Sequence, residues 1–343
     1  DSAPHTIEGI FESNGQEQLY FESQAAIAIP GEGKSYKVLS STQSTTEVQA
    51  EVASALGVGM HQVICECARM GGGFGGKETQ TVIPAVMAAL VAHNTGRSAR
   101  VVYEKDRDMQ VTGKRHDYKT WYRAAYDDEG RLLAVDFRFF SNGGAFADLS
   151  TAVMERTMMH ADNAYHLPSV RITGKICRTH LPPNTAFRGF GGPQGVVVIE
   201  NLLQDIALEL GLDAWDVRRL NAYRDGDASR STAPYGQTVK DHMLLEIFDQ
   251  LEISSDYRAR MSAAEEFTGK SRTHVKGLAM SAVKFGISFT TKFLNQGNAL
   301  VNVYADGTVQ VSTGGTEMGQ GLNTKIRQLV ADEFDIDPLR VKL

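Results

Sequence analysis

The chain has 343 residues, with 35 Lys and Arg against 41 Asp and Glu, a net charge of -6. That balance argues against nucleic acid as the partner, since phosphate contacts call for a basic excess; there is no apolar run of about 18 residues to span a membrane, and no basic-then-apolar leader opens the chain. At 42% hydrophobic and 22% charged, the composition is that of a globular protein with room for two domains and a core that needs no disulfides.

Taken in chain order, the elements alternate. Both ends, D-S-A-P-H-T and D-P-L-R-V-K-L, read as mid-domain sequence, so a segment of a longer polypeptide is expected. A strand is predicted over 36–41. A helix follows over 45–56, with Val48, Val52 and Leu56 spaced by four and a Gly behind it. A strand over 63–70 precedes a glycine loop, and an apolar helix over 79–93 closes on N-T-G. Residues 100–103 read as a strand, and 118–126 and 132–140 flank D-D-E-G as a hairpin. A strand over 171–179 leads to a second glycine loop. A helix over 193–210 follows, with Pro in its first turn. Further helices are predicted over 214–223, 242–251 and 256–267. The polar stretch 265–275 reads as a linker between domains at 1–264 and 276–343. Beyond it strands are expected over 277–284, 299–304 and 308–312, then a third glycine loop and a helix from about residue 321. The three cysteines, Cys65, Cys67 and Cys177, form no disulfide framework and point to a reducing compartment. Alternation puts the Cys65 and Cys67 thiols on one strand face, where they pack in the core. The nine histidines show no ligand spacing.

The glycines concentrate in three loops. Residues 71–78 read G-G-G-F-G-G-K-E, between a strand and a helix. As a P-loop this fails at Glu78, where Ser or Thr should bind magnesium. As a dinucleotide loop it has the right context. Residues 186–194 read A-F-R-G-F-G-G-P-Q and 314–321 read G-G-T-E-M-G-Q-G. Glycines let a ligand approach backbone N–H groups, and helix N-termini favour anions. Three such loops suggest one large polar ligand gripped from several sides.

With K-F-G-I-S-F-T before the third loop and S-T-Q, G-K-R-H-D and M-E-R at 41–43, 113–117 and 154–156, these motifs occur in an order that resembles the molybdenum-cofactor part of the xanthine dehydrogenase/oxidase family. The resemblance runs over essentially the whole chain. It implies an α+β fold with mixed sheets and helices, in two elongated molybdopterin-binding domains, the second incomplete here. It also implies a molybdenum held by molybdopterin, with the protein supplying a hydrogen-bonding cage.

Residue by residue, Gln43 matches the glutamine that approaches the metal's oxo ligand. Phe74, Gly75 and Arg188 match positions whose backbone faces the metal, so Gln43, Phe74 and Arg188 make up the molybdenum environment. Gln320 matches a pterin contact. Glu78 and Arg115 match the polar pair that grips a purine, and Phe190 and Phe289 the rings that hold it, with the Thr290 hydroxyl nearby. The Glu78/Arg115 pair favours xanthine or hypoxanthine over aldehydes. The chemistry implied is oxidation of a purine to urate with water as oxygen source. Electrons then leave through 2Fe-2S clusters and FAD to NAD or oxygen, carried by the remainder of the molybdenum subunit and by iron–sulfur and FAD domains or subunits. A cytoplasmic location is implied. The family's glutamate base lies beyond Leu343, so no catalytic residue is assigned in this chain. A nicotinamide-dependent dehydrogenase on the first loop, an aldehyde oxidase-like subunit and a non-catalytic scaffold remain the alternatives.

Overall fold

A computed structural model describes residues 3–343. Strand β1 (His5–Ser13) is followed by β2 (Ala25–Pro30) and β3 (Tyr36–Ser40), the last two antiparallel. Helix α1 (Thr45–Leu56) carries the chain back so that β4 (Val63–Glu66) joins β3 in parallel, as a parallel pair requires. Helix α2 (Val82–Thr95) crosses to β5 (Ala99–Val102), which completes a sheet of order β4-β3-β2-β5. Ala85, Ala88, Ala89 and Ala92 recur at helical spacing on α2 and pack with Ala26, Ala28 and Val38 of the sheet, small residues on both sides allowing close approach.

After α3 (Lys105–Val111), β6 (Tyr118–Tyr126) and β7 (Leu132–Gly144) form the expected hairpin, closed by the Asp127 N–H on the Arg131 carbonyl. Helix α4 (Ser150–Met159) then leads to β8 (Val170–Arg178), parallel to β7. With β1 along β6 the second sheet has the order β1-β6-β7-β8. Helix α5 (Gly192–Leu210) contributes Val198, Ile199, Leu202, Leu203 and Ile206 to the core that Tyr122, Leu132, Phe137 and Phe139 provide from the sheet. Helices α6 (Ala214–Asn221), α7 (Leu244–Ser254) and α8 (Tyr257–Lys270) close around Trp215, Phe248 and Tyr257. The last sheet takes β9 (Ala299–Val303), β10 (Val309–Thr313) and, beyond α9 (Leu322–Phe334), β11 (Val341–Lys342), in the order β11-β10-β9. Among the described residues no helix is long and apolar enough to cross a membrane.

The architecture is the expected α+β one with mixed sheets, and its departures from expectation are local. β1, β2, α3 and α4 go beyond the expected elements: β1 is an edge strand that buries no residue fully, and neither α3 nor α4 has a side-chain N-cap. α2 starts at Val82 rather than 79, because the Thr79 and Gln80 side chains are bound elsewhere. β4 ends at Glu66, short of the expected 70, although Cys65 and Cys67 are both half-buried as alternation requires. Cys65 packs against the first core, and burial pushes its thiol up to about 12, well away from reactive thiolate. Residues 265–270 of the expected linker are the last turns of α8.

The largest difference is at 277–284. This segment has no regular secondary structure and pairs with no described strand. Side chains from the end of α4 take the place of a partner. Asn163 donates to the Ala282 carbonyl at 2.7 Å and accepts from the Lys284 N–H at 3.0 Å. His160 accepts from the Gly286 N–H at 2.9 Å, and Arg156 donates to the Gly286 and Ser288 carbonyls. Buried backbone groups need partners, and side chains serve as well as a neighbouring strand.

Candidate active site

Loop 1, residues 71–78, is shaped from beneath by a buried lysine. The Lys77 ammonium, fully enclosed, donates to Ser41 at 2.8 Å and to Glu22 at 3.2 Å and lies 4.7 Å from the Tyr20 ring centre. Burial depresses its pKa, and the Glu22 charge opposes that shift. Glu22 also accepts from the Gly71 N–H at 2.8 Å, so one carboxylate fixes both ends of the loop. From α1's side, Gln43 Oε1 accepts from the Gly75 N–H at 2.8 Å and the Lys77 N–H at 3.3 Å. That assigns the amide orientation and leaves its NH₂ as a donor with no bond to a described residue. An uncharged donor at this position is what the resemblance requires of Gln43.

Loop 2, residues 186–194, lies against loop 1. The Arg188 N–H donates to the Phe74 carbonyl at 2.9 Å, and a Cβ on Gly75 would stand 2.8 Å from the Ala186 carbonyl group. Phe74 and Phe190 both hold left-handed backbone angles, φ 55° and 49°. Such angles cost of order 1–3 kcal/mol in a non-glycine residue and cluster at functional sites.

The structure brings Phe190 and Phe289 together, with ring centroids 5.3 Å apart and planes at 51°. They form a tilted corner, one geometry in which a flat heterocycle meets a face and an edge. Beside them the Thr290 hydroxyl is buried with no protein partner. No hydrogen bond or ion pair joins Arg115 to Glu78 among the described residues. Arg115 donates through Nε to Gln16 at 2.7 Å and through Nη2 to the Arg188 carbonyl at 2.9 Å, and its guanidinium lies 4.1 Å from the Phe187 ring centre. It backs loop 2. The guanidinium at the aromatic corner is Arg156, 5.8 Å from the Phe190 ring centre and 5.1 Å from that of Phe285, with its Nε buried and unpartnered. Sequence reasoning passed over Arg156 inside the quoted M-E-R. The M-E-R-T-M-M run carries no signal by itself, since Glu155 beside the arginine reads as an ordinary exposed charge pair.

Among the described residues no cation pairs with Glu78. Burial, with the Glu47 and Asp148 charges adding to it, pushes its carboxyl up to about 7. Near neutral pH it is then able both to donate and to accept a hydrogen bond.

The third loop differs from expectation. Its N–H groups at Gly319, Gly321 and Asn323 are taken by the Glu317 carboxylate at 2.9–3.1 Å. Gln320 is tied at both ends of its amide to Met318 and Thr316 of the same loop. The loop reaches the first through the Met70 N–H on the Glu317 carbonyl at 2.9 Å. Between the third loop and residues 65–70, which lead into the first, opens a cleft of about 860 Å³, lined by Thr45, Cys67, Met70, Thr316, Gly319 and Arg327 among others. A Cβ on Gly319, at φ +107°, would meet nothing within 4 Å, so the loop presents bare backbone to this space.

His160 holds the segment before Phe289 at Gly286, while the Asn295 amide binds the Phe289 N–H at 2.7 Å and its carbonyl at 2.8 Å. Because the Gly286 N–H can only donate, Nε2 is the acceptor and the ring proton sits on Nδ1, toward the Arg156 carbonyl at 2.8 Å. Burial lowers the His160 pKa below its ordinary 6.5, with the Arg156 and Lys284 charges acting in the same direction. The folded state therefore binds the proton less readily than the unfolded one. Its contribution to stability is complete above pH about 6.5 and is lost as pH falls from there toward the lower folded value, by at most about 1.4 kcal/mol per pH unit. Amide exchange across 282–289 is expected to accelerate as pH drops through that window after correction for intrinsic rates, and His160→Gln to flatten the dependence.

Two regions of the chain, residues 1–222 and 250–343, match the family described as molybdopterin cofactor-binding domain, and the chain belongs to that family. More particularly, it is 42% identical to a xanthine dehydrogenase of Dictyostelium discoideum over 332 residues, 97% of this chain and 24% of the relative. It is also 42% identical to a xanthine dehydrogenase/oxidase of Rattus norvegicus over 342 residues, 99% of this chain and 25% of the relative. The chain thus spans about a quarter of the curated relatives it matches. Among solved structures it resembles the aldehyde oxidoreductase of Desulfovibrio gigas, with a TM-score of 0.81 at 25% identity over 99% of this chain and 37% of that one. Quinoline 2-oxidoreductase of Pseudomonas putida 86, at 22% identity and a TM-score of 0.81 over 99% of this chain and 44% of that one, shares the fold.

The residues fit a molybdopterin-bound molybdenum. The cleft, the bare backbone at Gly319, the uncommitted Gln43 NH₂ and the orphaned Thr290 hydroxyl are what a cage around a polar cofactor and its substrate leaves on the protein.

Proposed function

We propose that this chain is the molybdenum-cofactor-binding part of a molybdenum hydroxylase that oxidises hypoxanthine or xanthine to urate with water as oxygen source. The observation that carries the reading is the aromatic corner of Phe190 and Phe289, flanked by the Arg156 guanidinium and the Thr290 hydroxyl. A flat, polar, electron-poor ring suits that corner. When bound, the molybdenum cofactor supplies oxygen transfer and takes up the two electrons, which 2Fe-2S clusters and FAD in the complete enzyme pass to NAD or oxygen.

The chain's own residues bind and orient. Gln43 would offer its uncommitted NH₂ to the bound group. The backbones of Phe74, Gly75 and Arg188 wall the metal, and the third loop, stapled by Gln320 and Glu317, forms the pterin side. Phe190 and Phe289 hold the ring, Thr290 offers a hydroxyl, and Glu78 exchanges hydrogen bonds with ring nitrogens. Arg156 meets negative charge that develops on a ring carbonyl, a preorganised electrostatic role. Arg115 acts one step back, by fixing loop 2. The division into domains at 1–264 and 276–343 follows this assignment, with the third loop in the second. The general base is placed in the remainder of the longer enzyme, which serves with the iron–sulfur and FAD parts as the partner, in a reducing, cytoplasmic setting.

The test is turnover by the purified complete enzyme at measured molybdenum content. Xanthine is expected to be preferred over benzaldehyde by at least an order of magnitude in kcat/KM. A preference for benzaldehyde turns the assignment to the aldehyde-oxidising side.

A further inference from the structure

Asp148 lies in the turn before α4, outside every glycine loop, and holds a left-handed backbone at φ 44°. Its carboxylate accepts four hydrogen bonds. Oδ2 takes the Thr79 hydroxyl and the Gln80 amide, each at 2.9 Å. Oδ1 takes the Thr185 hydroxyl at 2.5 Å and the Leu149 N–H at 2.7 Å. Thr79 and Gln80 come directly after Glu78, and Thr185 directly before loop 2. The two threonine hydroxyls are themselves 3.3 Å apart. Gln80 extends the network by accepting from the Gly113 N–H at 3.0 Å.

We propose that Asp148 is a positioning residue that locks the Glu78 end of loop 1 to the entry of loop 2, and so sets the alignment of Glu78 against Phe190. This rests on the reading of Glu78 and Phe190 as pocket residues. Among the described residues no cation lies within salt-bridge distance of the carboxylate, and its bonds are all to neutral donors; bonds to an ionised acceptor are about twice as strong as neutral ones. Strained backbone of this kind persists where the surroundings over-determine it, and here four bonds from three directions do so. The carboxylate also acts on Glu78 directly. Asp148 and Glu47, from the first turn of α1, are the charged groups that bear on Glu78, and both are negative.

Asparagine separates positioning from mere support. In Asp148→Asn the remaining oxygen keeps Thr185 and Leu149, while an NH₂ replaces the acceptor that Thr79 and Gln80 share. In the complete enzyme, Asp148→Asn is expected to keep its melting temperature and molybdenum content, to lose about 10–100-fold in kcat/KM for xanthine, and to exchange amides faster over 76–82 but not over 186–192. Thr79→Val is expected to cost less in the Asp148→Asn background than in the wild type, the non-additivity of groups that share a partner. Unchanged exchange over 76–82, or unchanged kcat/KM, overturns the proposal, as does faster exchange throughout the first 222 residues, which makes the role purely structural. If the wild-type enzyme itself does not turn over xanthine, the purine reading fails, and the exchange pattern alone still decides whether Asp148 locks the loops.

Discussion

Replacing Gly75 by valine is expected to abolish molybdenum content while the protein stays folded. Gly75 holds φ +95°, where a β-branched residue is strained, and the new Cβ would stand 2.8 Å from the backbone of Ala186. Neither can relieve the clash alone: the Gly75 N–H is bound to Gln43, and Ala186 is held by the Gln18 amide on its carbonyl at 3.0 Å. The loops must part, and the backbone wall parts with them. The two sheet-and-helix cores are untouched, so circular dichroism should be unchanged. Gly319→Val is the companion. It sits at φ +107° with open space around it, so the valine strains the local backbone and projects into the cleft without striking protein. A cofactor shared by the loops predicts loss of molybdenum in both variants. A site confined to loop 1 predicts full occupancy in Gly319→Val, and metal per protein, measured on both, separates the two.

The second large effect is at Arg156. Removing its guanidinium, as Arg156→Met, is expected to lower kcat/KM for xanthine by about 2–4 kcal/mol of transition-state stabilisation, the range for loss of a preorganised donor at developing charge. Arg156→Lys restores the charge but not a planar fork that serves two carbonyls, and rescue is expected to be partial. Arg115→Met should act differently. It frees the Arg188 carbonyl and bares Phe187, so the loss should appear as reduced molybdenum content, with kcat per molybdenum largely retained. If Arg115→Met instead carries the substrate-specific loss at full molybdenum occupancy, the two arginines exchange roles.

That pair shows what the amino-acid sequence discloses and what it withholds. Elements that follow one local rule were legible: the β6–β7 hairpin from two strand-like runs flanking D-D-E-G, and α1 from its spacing and terminal glycine. The cofactor loops were legible as well, because backbone exposure needs glycine whatever surrounds it. Arg115 and Arg156 could not be told apart, since which arginine meets the aromatic corner depends on the packing of α4 against α5. Nor could the fate of the third loop's amides be read, because Glu317 turns its carboxylate back on them from within the same motif. A strand was expected over 277–284, and tertiary side chains supplied hydrogen bonds there instead.

That last arrangement bears on how a pocket of this kind diversifies. A strand that carries Phe289 would be bound to a sheet's pairing, and a one-residue insertion would turn every side chain to the opposite face. A segment pinned by Asn163, His160 and Arg156 has no such register to keep. Residues 282–288 are held by three anchors and Phe289 by Asn295, so a change of length between these points need not turn every side chain over, as it would in a strand.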